Sequence, residues 1–351
     1  MSHKEVINRD KRWEIITGDA LTTLKKMPRA IFQTSITSPP YFNLRDYETE
    51  DQIGTEESPT EYIDRIVTIY KEVKRVLRRD GTCWINIGDK YASHQTYPNL
   101  HIKDKDLMGI PWELAKALRK DRWHIRQMIP WVKQNAVPEK ASDRPNTSIE
   151  YIILLAKNKT YYFDMEGAKE CLGIKRNWRN GDSLLFMDVP TERHFLEHPA
   201  IMPDELARIM LKTSLSEKGC CKKCHTPLKR KIKKTNIPGR TKFTKKSKYY
   251  SQTGPNSVTS LSSYIKGDGR TNTIVETLGW EPQCKCNFGK TTQLVLDPFS
   301  GAATTGSVAL ELGHSYIGIE LYENYAKESI HRIEKQIAAS KDLFNSTRFH
   351  T

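Results

Sequence analysis

An α/β fold is predicted, a mostly parallel sheet with helices on both faces and an inserted module, and three observations predict it. Over the first 160 residues short apolar runs of strand length alternate with stretches of helical periodicity, the order that builds parallel sheets. The same alternation resumes near Gln293. Between the two, residues 229–248 (KRKIKKTNIPGRTKFTKKSK) carry ten Lys/Arg and no acid, and 251–273 is rich in Ser, Thr, Gly and Asn, so a loop-rich basic insert is expected there.

In chain order, 13–17 and 32–37 read as strands around a helix at 20–27. A helix is expected over 59–79, because Tyr62, Ile63, Ile66, Ile69, Tyr70, Val73, Val76 and Leu77 follow a 3.6-residue period and Asp80-Gly81 ends it. A strand at 82–87 follows. Pro111 opens a helix at 111–120, and 123–132 and 149–156 are expected to be antiparallel neighbours. A helix at 204–215 precedes the insert. Beyond it come a strand at 294–296, a Gly/Thr turn, a helix at 304–312, a strand at 316–319 and a long polar helix at 323–340. Trp112, Trp123 and Trp131 are expected in the core.

At 351 residues, one large domain with an inserted module has room for a substantial core. The formal charge of +14 favours a polyanionic partner such as nucleic acid, with an anionic membrane surface as the competing reading. No apolar run approaches the roughly 20 residues of a spanning helix, and the first residues lack the apolar stretch of a secretory signal, so a cytoplasmic protein without a membrane partner is expected.

Three motifs carry chemistry. The segment from Leu294 through Asp297, Phe299, Gly301, Thr304 and Thr305 to Gly306 puts a carboxylate at a strand end and small residues in the following turn. About twenty residues on, Glu320 closes the next strand, placed to accept hydrogen bonds from ribose hydroxyls. An adenosine-containing cofactor is implied, with a purely structural turn as the alternative, whereas no Gly-rich loop ending in Gly-Lys-Ser/Thr marks a triphosphatase. Second, Thr37-Ser38-Pro39-Pro40-Tyr41 leaves another strand at the same sheet edge. Its prolines lack N–H donors, so carbonyls stay free to accept a substrate amine, and Tyr41 offers a flat face to a planar base; a proline-rich strand exit with an ordinary Tyr is the alternative. Third, Cys221-Lys-Lys-Cys224 and Cys284-Lys-Cys286 supply four thiols with the spacing of a structural Zn2+ site, or else buried free thiols. Cys220 is an ambiguous fifth and His225 a possible substitute. Phe243, Tyr249 and Tyr250 beside the cations suit phosphate contact and stacking, and a solvated linker is the alternative. Arg45, Asp46 and Tyr47 either line the base pocket or form a surface turn.

Together these segments resemble the beta-type amino-methyltransferases of DNA, in which the catalytic motif precedes the cofactor motif. The likeness implies a Rossmann-like class I methyltransferase sheet of permuted motif order with an inserted zinc-knuckle module. It implies S-adenosylmethionine as cofactor, held by Asp19, His198, Pro199, Asp297, Phe299, Gly301, Thr304, Thr305 and Glu320, with Ser38, Pro39, Pro40 and Tyr41 as the catalytic tetrapeptide. Asn86 to Asp89 and residues 149–164 fall where the family has sheet motifs. The implied parts are a catalytic half (1–164), a target-recognition region (165–290, with the cofactor-closing segment 198–203 and the basic insert 216–290), and a cofactor-binding half (291–351). Serine at the first tetrapeptide position is similar to the cytosine-N4 enzymes. The expected reaction is therefore base flipping in double-stranded DNA and direct methyl transfer, with a cognate restriction endonuclease as a further partner. An adenine-N6 enzyme, an RNA methyltransferase and an inactive zinc-containing DNA-binding protein are the alternatives. Ala302-Ala303 departs from the family's small-Gly pair, and Cys83, inside a strand, is not expected to act as a nucleophile.

Overall fold

The structure, a computed structural model, describes residues 3–44, 52–93, 96–133, 141–171, 187–188, 202–237 and 272–346. The chain divides into two compact units, one of residues 1–174, 184–229 and 282–351, the other of 175–183 and 230–281.

In the first unit the elements run α1 (His3–Asn8), β1 (Trp13–Thr17), α2 (Ala20–Lys25), β2 (Phe32–Thr37), α3 (Pro59–Val76), β3 (Leu77–Ile87), α4 (Ile110–Lys120), β4 (His124–Val132), β5 (Ile149–Ala156) and α5 (Met165–Cys171). A two-residue β6 (Met187–Asp188), α6 (Asp204–Ser214) and β7 (Cys220–Cys221) follow. In the second unit, β8 (Lys229–Ile237) and β9 (Asn272–Glu281) form a separate two-stranded sheet. The first unit is completed by β10 (Lys290–Thr291), β11 (Leu294–Asp297), α7 (Thr304–Glu311), β12 (Ser315–Glu320) and α8 (Glu323–Ser346).

The eight-stranded sheet has the order β1-β12-β11-β2-β3-β5-β4-β6. Its pairings are parallel except those that β5 makes with β3 and β4. Alternating side chains feed two cores. Phe32, Ile85, Leu294, Leu296, Ile317 and Ile319 pack with α2, α3 and α4 on one face. Ile36, Trp84, Val295 and Tyr316 pack with α6, α7 and α8 on the other. With both faces covered, β11 and β12 are apolar over most of their length, whereas the equally buried β2 carries Gln33, Thr34, Ser35 and Thr37.

The chain leaves β2 through α3 toward β3 on one side, and leaves β11 through α7 toward β12 on the other. The strand order thus reverses between β11 and β2, which pair Val295 with Thr34 and Leu296 with Ser35. Connections that diverge at neighbouring carboxyl ends leave a crevice there.

Several boundaries differ from expectation. Helix α3 stops at Val76, not Arg79, and β3 begins at once with Leu77 in extended conformation paired to Phe32. Leu77 continues the helical spacing, yet its fully buried side chain is claimed by the sheet. Residues 229–237, expected as loop, form β8, so the insert is not structureless. Trp112 is not core: it is 39% exposed and its ring lies 4.9 Å from that of Tyr151. Trp123 and Trp131 are buried as expected, as is Cys83, whose thiol is pushed up by burial.

Helix α7 meets β12 closely, since a Cβ on Gly306 would stand 2.4 Å from Cε1 of Tyr316. The Tyr316 hydroxyl is tied to Ser300 Oγ at 2.8 Å, so the ring cannot swing away cheaply. Gly306→Ala is expected to destabilise the fold by about 1–3 kcal/mol despite alanine's better helix propensity. Equilibrium urea unfolding measures this.

Candidate active site

The crevice between β11 and β2 is lined from both strands. Asp297 closes β11 almost fully buried, its Oδ1 accepting the Phe299 N–H at 3.1 Å. Burial raises its pKa to about 6, while the nearby Thr37 and Thr305 hydroxyls pull the other way. The turn behind it is fixed by the chain itself. Gly301 and Ala303 both have positive φ, 48° and 54°. Ala303 in this left-handed conformation carries strain of about 1–2 kcal/mol. Its methyl is fully buried, so the departure from the expected Gly is accommodated by packing. Arg332 holds the turn from α8, donating to the Ala302 carbonyl at 2.9 Å and Thr304 Oγ1 at 3.1 Å, and it bridges to Asp204 of α6. Ser329 donates to the Gly301 carbonyl.

Glu320 ends β12 on the other side of this turn. Its Oε2 accepts the Gly301 N–H at 2.7 Å and its Oε1 the Tyr322 N–H at 3.0 Å. Burial raises its pKa and the backbone donors lower it, with burial prevailing. With the Leu321 N–H as a third donor, the carboxylate still has acceptor capacity left for a ligand. Asp19 follows β1 and caps α2, accepting the Thr22 N–H at 2.7 Å, so it has a structural duty as well as an edge position.

At the end of β2, Ser38 is half-buried and its hydroxyl donates to Tyr41 Oη at 3.4 Å. Pro39 is buried, and the Pro40 carbonyl accepts the Tyr62 hydroxyl at 2.8 Å, which holds the loop against α3. A Cβ on Gly88 would stand 2.9 Å from Cε2 of Tyr41, so this glycine makes room for the ring. Tyr41 Oη donates to Glu150 Oε2 at 2.7 Å and accepts from Asn86 Nδ2 at 3.1 Å. Asn86 also donates to Glu150 Oε2 at 2.9 Å, and Lys133 pairs with Glu150 Oε1. Burial, then the Glu150 charge, raises the Tyr41 phenol far above its usual value.

The structure thus brings Ser38, Pro39, Pro40 and Tyr41 to the strand edge beside Asp297, Phe299, Gly301, Thr304, Thr305 and Glu320. His198 and Pro199, and Arg45, Asp46 and Tyr47, lie outside the described residues, as do Phe243, Tyr249 and Tyr250. Sequence reasoning missed Glu150, Lys133 and Arg332. Glu150 had a signal, an acid at the start of the apolar run Tyr151–Ala156. Asp89, from the same motif as Asn86, caps α4 through the Gly109 and Ile110 N–H groups.

A second cluster lies in the same unit. The thiol sulfurs of Cys221, Cys224, Cys284 and Cys286 all fall within 4.8 Å of one another. Strand β7 pairs with β10 and brings the two knuckles together, with His225, Asn287 and Gly289 turning the chain at positive φ. Thr226, 3.2 Å from the Cys224 sulfur, draws that thiol down to about 6. Cys220 stands outside the group, its thiol against the Thr291 and Thr292 carbonyls and pushed up to about 12 by burial. His225 does not join the cluster, and burial lowers its pKa. The Arg78 guanidinium from β3 donates to the Cys224 carbonyl at 3.2 Å.

In the second unit, Arg230 of β8 donates to Thr277 Oγ1 at 2.9 Å and covers the Trp280 ring at 4.6 Å. Among the described residues, no helix is long and apolar enough to cross a membrane.

Known proteins resemble this chain in sequence and in fold. The chain is 32% identical to the type II methyltransferase M.Cfr9I of Citrobacter freundii over 91% of its own length and 87% of the relative's. It is 31% identical to the type II methyltransferase M.SmaI of Serratia marcescens, over 91% of this chain and 90% of the other. Among solved structures, the cytosine-N4-specific PvuII DNA methyltransferase shares the fold with a TM-score of 0.57 at 15% identity, covering 95% of this chain and 93% of that one. A putative DNA modification methylase of Thermus thermophilus, solved with S-adenosyl-L-methionine, has a TM-score of 0.53 at 20% identity, over 92% of this chain and 93% of the other. A family model described as DNA methylase matches residues 32–222 and 287–331, more than half of the chain and both sides of the crevice, and the chain belongs to that family of methyltransferases.

Proposed function

We propose that this protein transfers a methyl group from S-adenosylmethionine to the exocyclic N4 amine of a cytosine flipped out of double-stranded DNA. The observation that carries the reading is the placement of Ser38, rather than an acid, at the head of the tetrapeptide beside the Asp297 turn. The donor set fits the cofactor: two buried carboxylates at neighbouring strand ends flank a turn of small residues, and both retain free lone pairs. Glu320 would accept the ribose hydroxyls, and Asp297, Phe299, Gly301, Thr304 and Thr305 would hold the remainder, with Asp19 at the adenine. His198 and Pro199 complete the proposed contacts. When bound, the cofactor supplies an electrophilic methyl on sulfur.

An exocyclic ring amine shares its lone pair with the ring and is a weak nucleophile. Ser38 Oγ and the Pro39 carbonyl would accept its two N–H bonds, which localises the lone pair and aims it. Tyr41 would stack on the base. The proline pair keeps this backbone rigid, and α3 supports it through Tyr62. No protein nucleophile is needed. On this reading the chain carries the permuted motif order, with the amine-binding turn ahead of the cofactor turn.

A 41-residue stretch that is 46% identical to the DNA adenine methyltransferase YhdJ of Escherichia coli favours adenine N6 as the second reading. Both amines present the same geometry to Ser38 and Pro39. The names of the type II relatives support pairing with a restriction endonuclease of the same specificity. The net charge of +14 and the cationic strand β8 support phosphate contact by the insert.

We further read Cys221, Cys224, Cys284 and Cys286 as a structural zinc site. Four thiolates fill a tetrahedral shell and leave no open position for catalysis. Its knuckles hold the two points where the chain departs for, and returns from, residues 230–281.

Two outcomes are expected. Nuclease digests of DNA from a host expressing the protein should contain N4-methylcytosine by mass spectrometry, and Ser38→Ala should lower it by about 10²-fold or more. N6-methyladenine alone would overturn the choice of base. Purified protein should carry one zinc per chain by elemental analysis, lost in Cys284→Ser together with several degrees of thermal stability.

A further inference from the structure

We infer that Glu150 is the terminal proton acceptor for methylation, reached from the substrate amine through the hydroxyls of Ser38 and Tyr41. The inference rests on the proposed amine methylation and assigns the fate of the proton that this reaction must release.

The hydrogen bonds have one direction. Ser38 Oγ donates to Tyr41 Oη at 3.4 Å, and Tyr41 Oη donates to Glu150 Oε2 at 2.7 Å. Asn86 Nδ2 donates to both Tyr41 Oη and Glu150 Oε2, at 3.1 and 2.9 Å. The phenol oxygen therefore accepts twice, and its proton has only the carboxylate as partner among these groups. Turning the Asn86 amide over would set its oxygen against the carboxylate, so the donor orientation is the stable one. Lys133 occupies Glu150 Oε1 and leaves Oε2 to Tyr41. With its own proton committed to Tyr41, Ser38 Oγ presents lone pairs to an incoming N–H.

The nitrogen–methyl bond forms as the methyl–sulfur bond breaks, with the bonding pair staying on sulfur. The alkylated nitrogen then carries a positive charge and releases one proton to Ser38 Oγ. The Ser38 proton passes to Tyr41 Oη and the Tyr41 proton to Glu150 Oε2. The nitrogen ends neutral and methylated, both hydroxyls are restored, and the carboxylate has become a carboxylic acid that solvent later deprotonates. The raised phenol pKa is consistent with this passage, because Tyr41 hands on a proton without resting as phenolate.

A serine at the head of the tetrapeptide is no base by itself. The relay gives it one, and it explains why Tyr41 sits three residues on, against Gly88 and Asn86. Glu150 acts through two other side chains and is a positioning residue rather than a catalytic one.

The test uses the full-length protein, tritiated S-adenosylmethionine and unmethylated genomic DNA of high sequence complexity. Single-turnover rates are compared for wild type, Glu150→Gln, Tyr41→Phe and the double variant. Each single variant should slow the transfer by about 100-fold. Cofactor affinity by calorimetry and DNA affinity by anisotropy without cofactor should stay within about twofold of wild type. The double variant should be no slower than the worse single one, because the two residues act as a unit. Added formate should restore part of the rate to Glu150→Ala, which a purely structural role would not allow. Should Glu150→Gln unfold, Tyr41→Phe carries the test alone, since it removes one hydroxyl and keeps the ring. An active wild type with an unimpaired Glu150→Gln, or with additive losses, overturns the relay alone. A wild type that yields no methylated amine in the DNA overturns the underlying function instead.

Discussion

The parallel pairing of β11 with β2 is the constraint on which the site depends. These strands come from opposite ends of the chain, and neither connects to the other. One turns away through α7 and the other through α3, on opposite faces of the sheet. Their connections diverge at the carboxyl ends, which leaves Asp297 and Ser38 at adjacent strand ends. Two covered faces make the pairing stable, since every position of β2 and β11 is buried. The site is a consequence of where the sheet reverses, with the packed sheet as its rigid support.

Charge is handled differently on the two sides of that crevice. On the β11 side, Asp297 and Glu320 are buried acids with no basic partner among the described residues, and backbone N–H groups of the turn hold them. Both therefore bind protons more readily than usual, and both are ready to accept donors from a ligand. On the β2 side, Glu150 is paired with Lys133 and receives hydrogen bonds from Tyr41 and Asn86. The first arrangement suits recognition, and the second suits holding and moving a proton. Arg332 connects the turn to α6 and α8, so the strained Ala303 backbone is supported from outside the crevice.

Much of this was legible in the sequence because it is local. Strands β11 and β12 are short apolar runs, and an acid at the end of such a run, like the Ser-Pro-Pro that follows β2, falls at the sheet edge whatever the topology. Cysteine spacing likewise forecast the four clustered thiols. What escaped was non-local. Tyr41 and Glu150 are 109 residues apart and meet only through the antiparallel placement of β5 beside β3. Cys220 stays an ambiguous fifth in sequence, and the structure places Cys221 in the cluster and the Cys220 thiol against the Thr291 and Thr292 carbonyls. Leu77 obeys the helical period but is taken by the sheet, and β8 was hidden in a segment whose charge suggested a loop.

The account stands on the crevice between β11 and β2 serving cofactor and base together. A crystal structure with S-adenosylhomocysteine bound tests this most directly. The account predicts ribose hydroxyls on the Glu320 carboxylate and the sulfur facing Ser38 and Pro39 across the crevice. A ligand seated away from Asp297 and Glu320, or with its sulfur turned from Ser38, would contradict it.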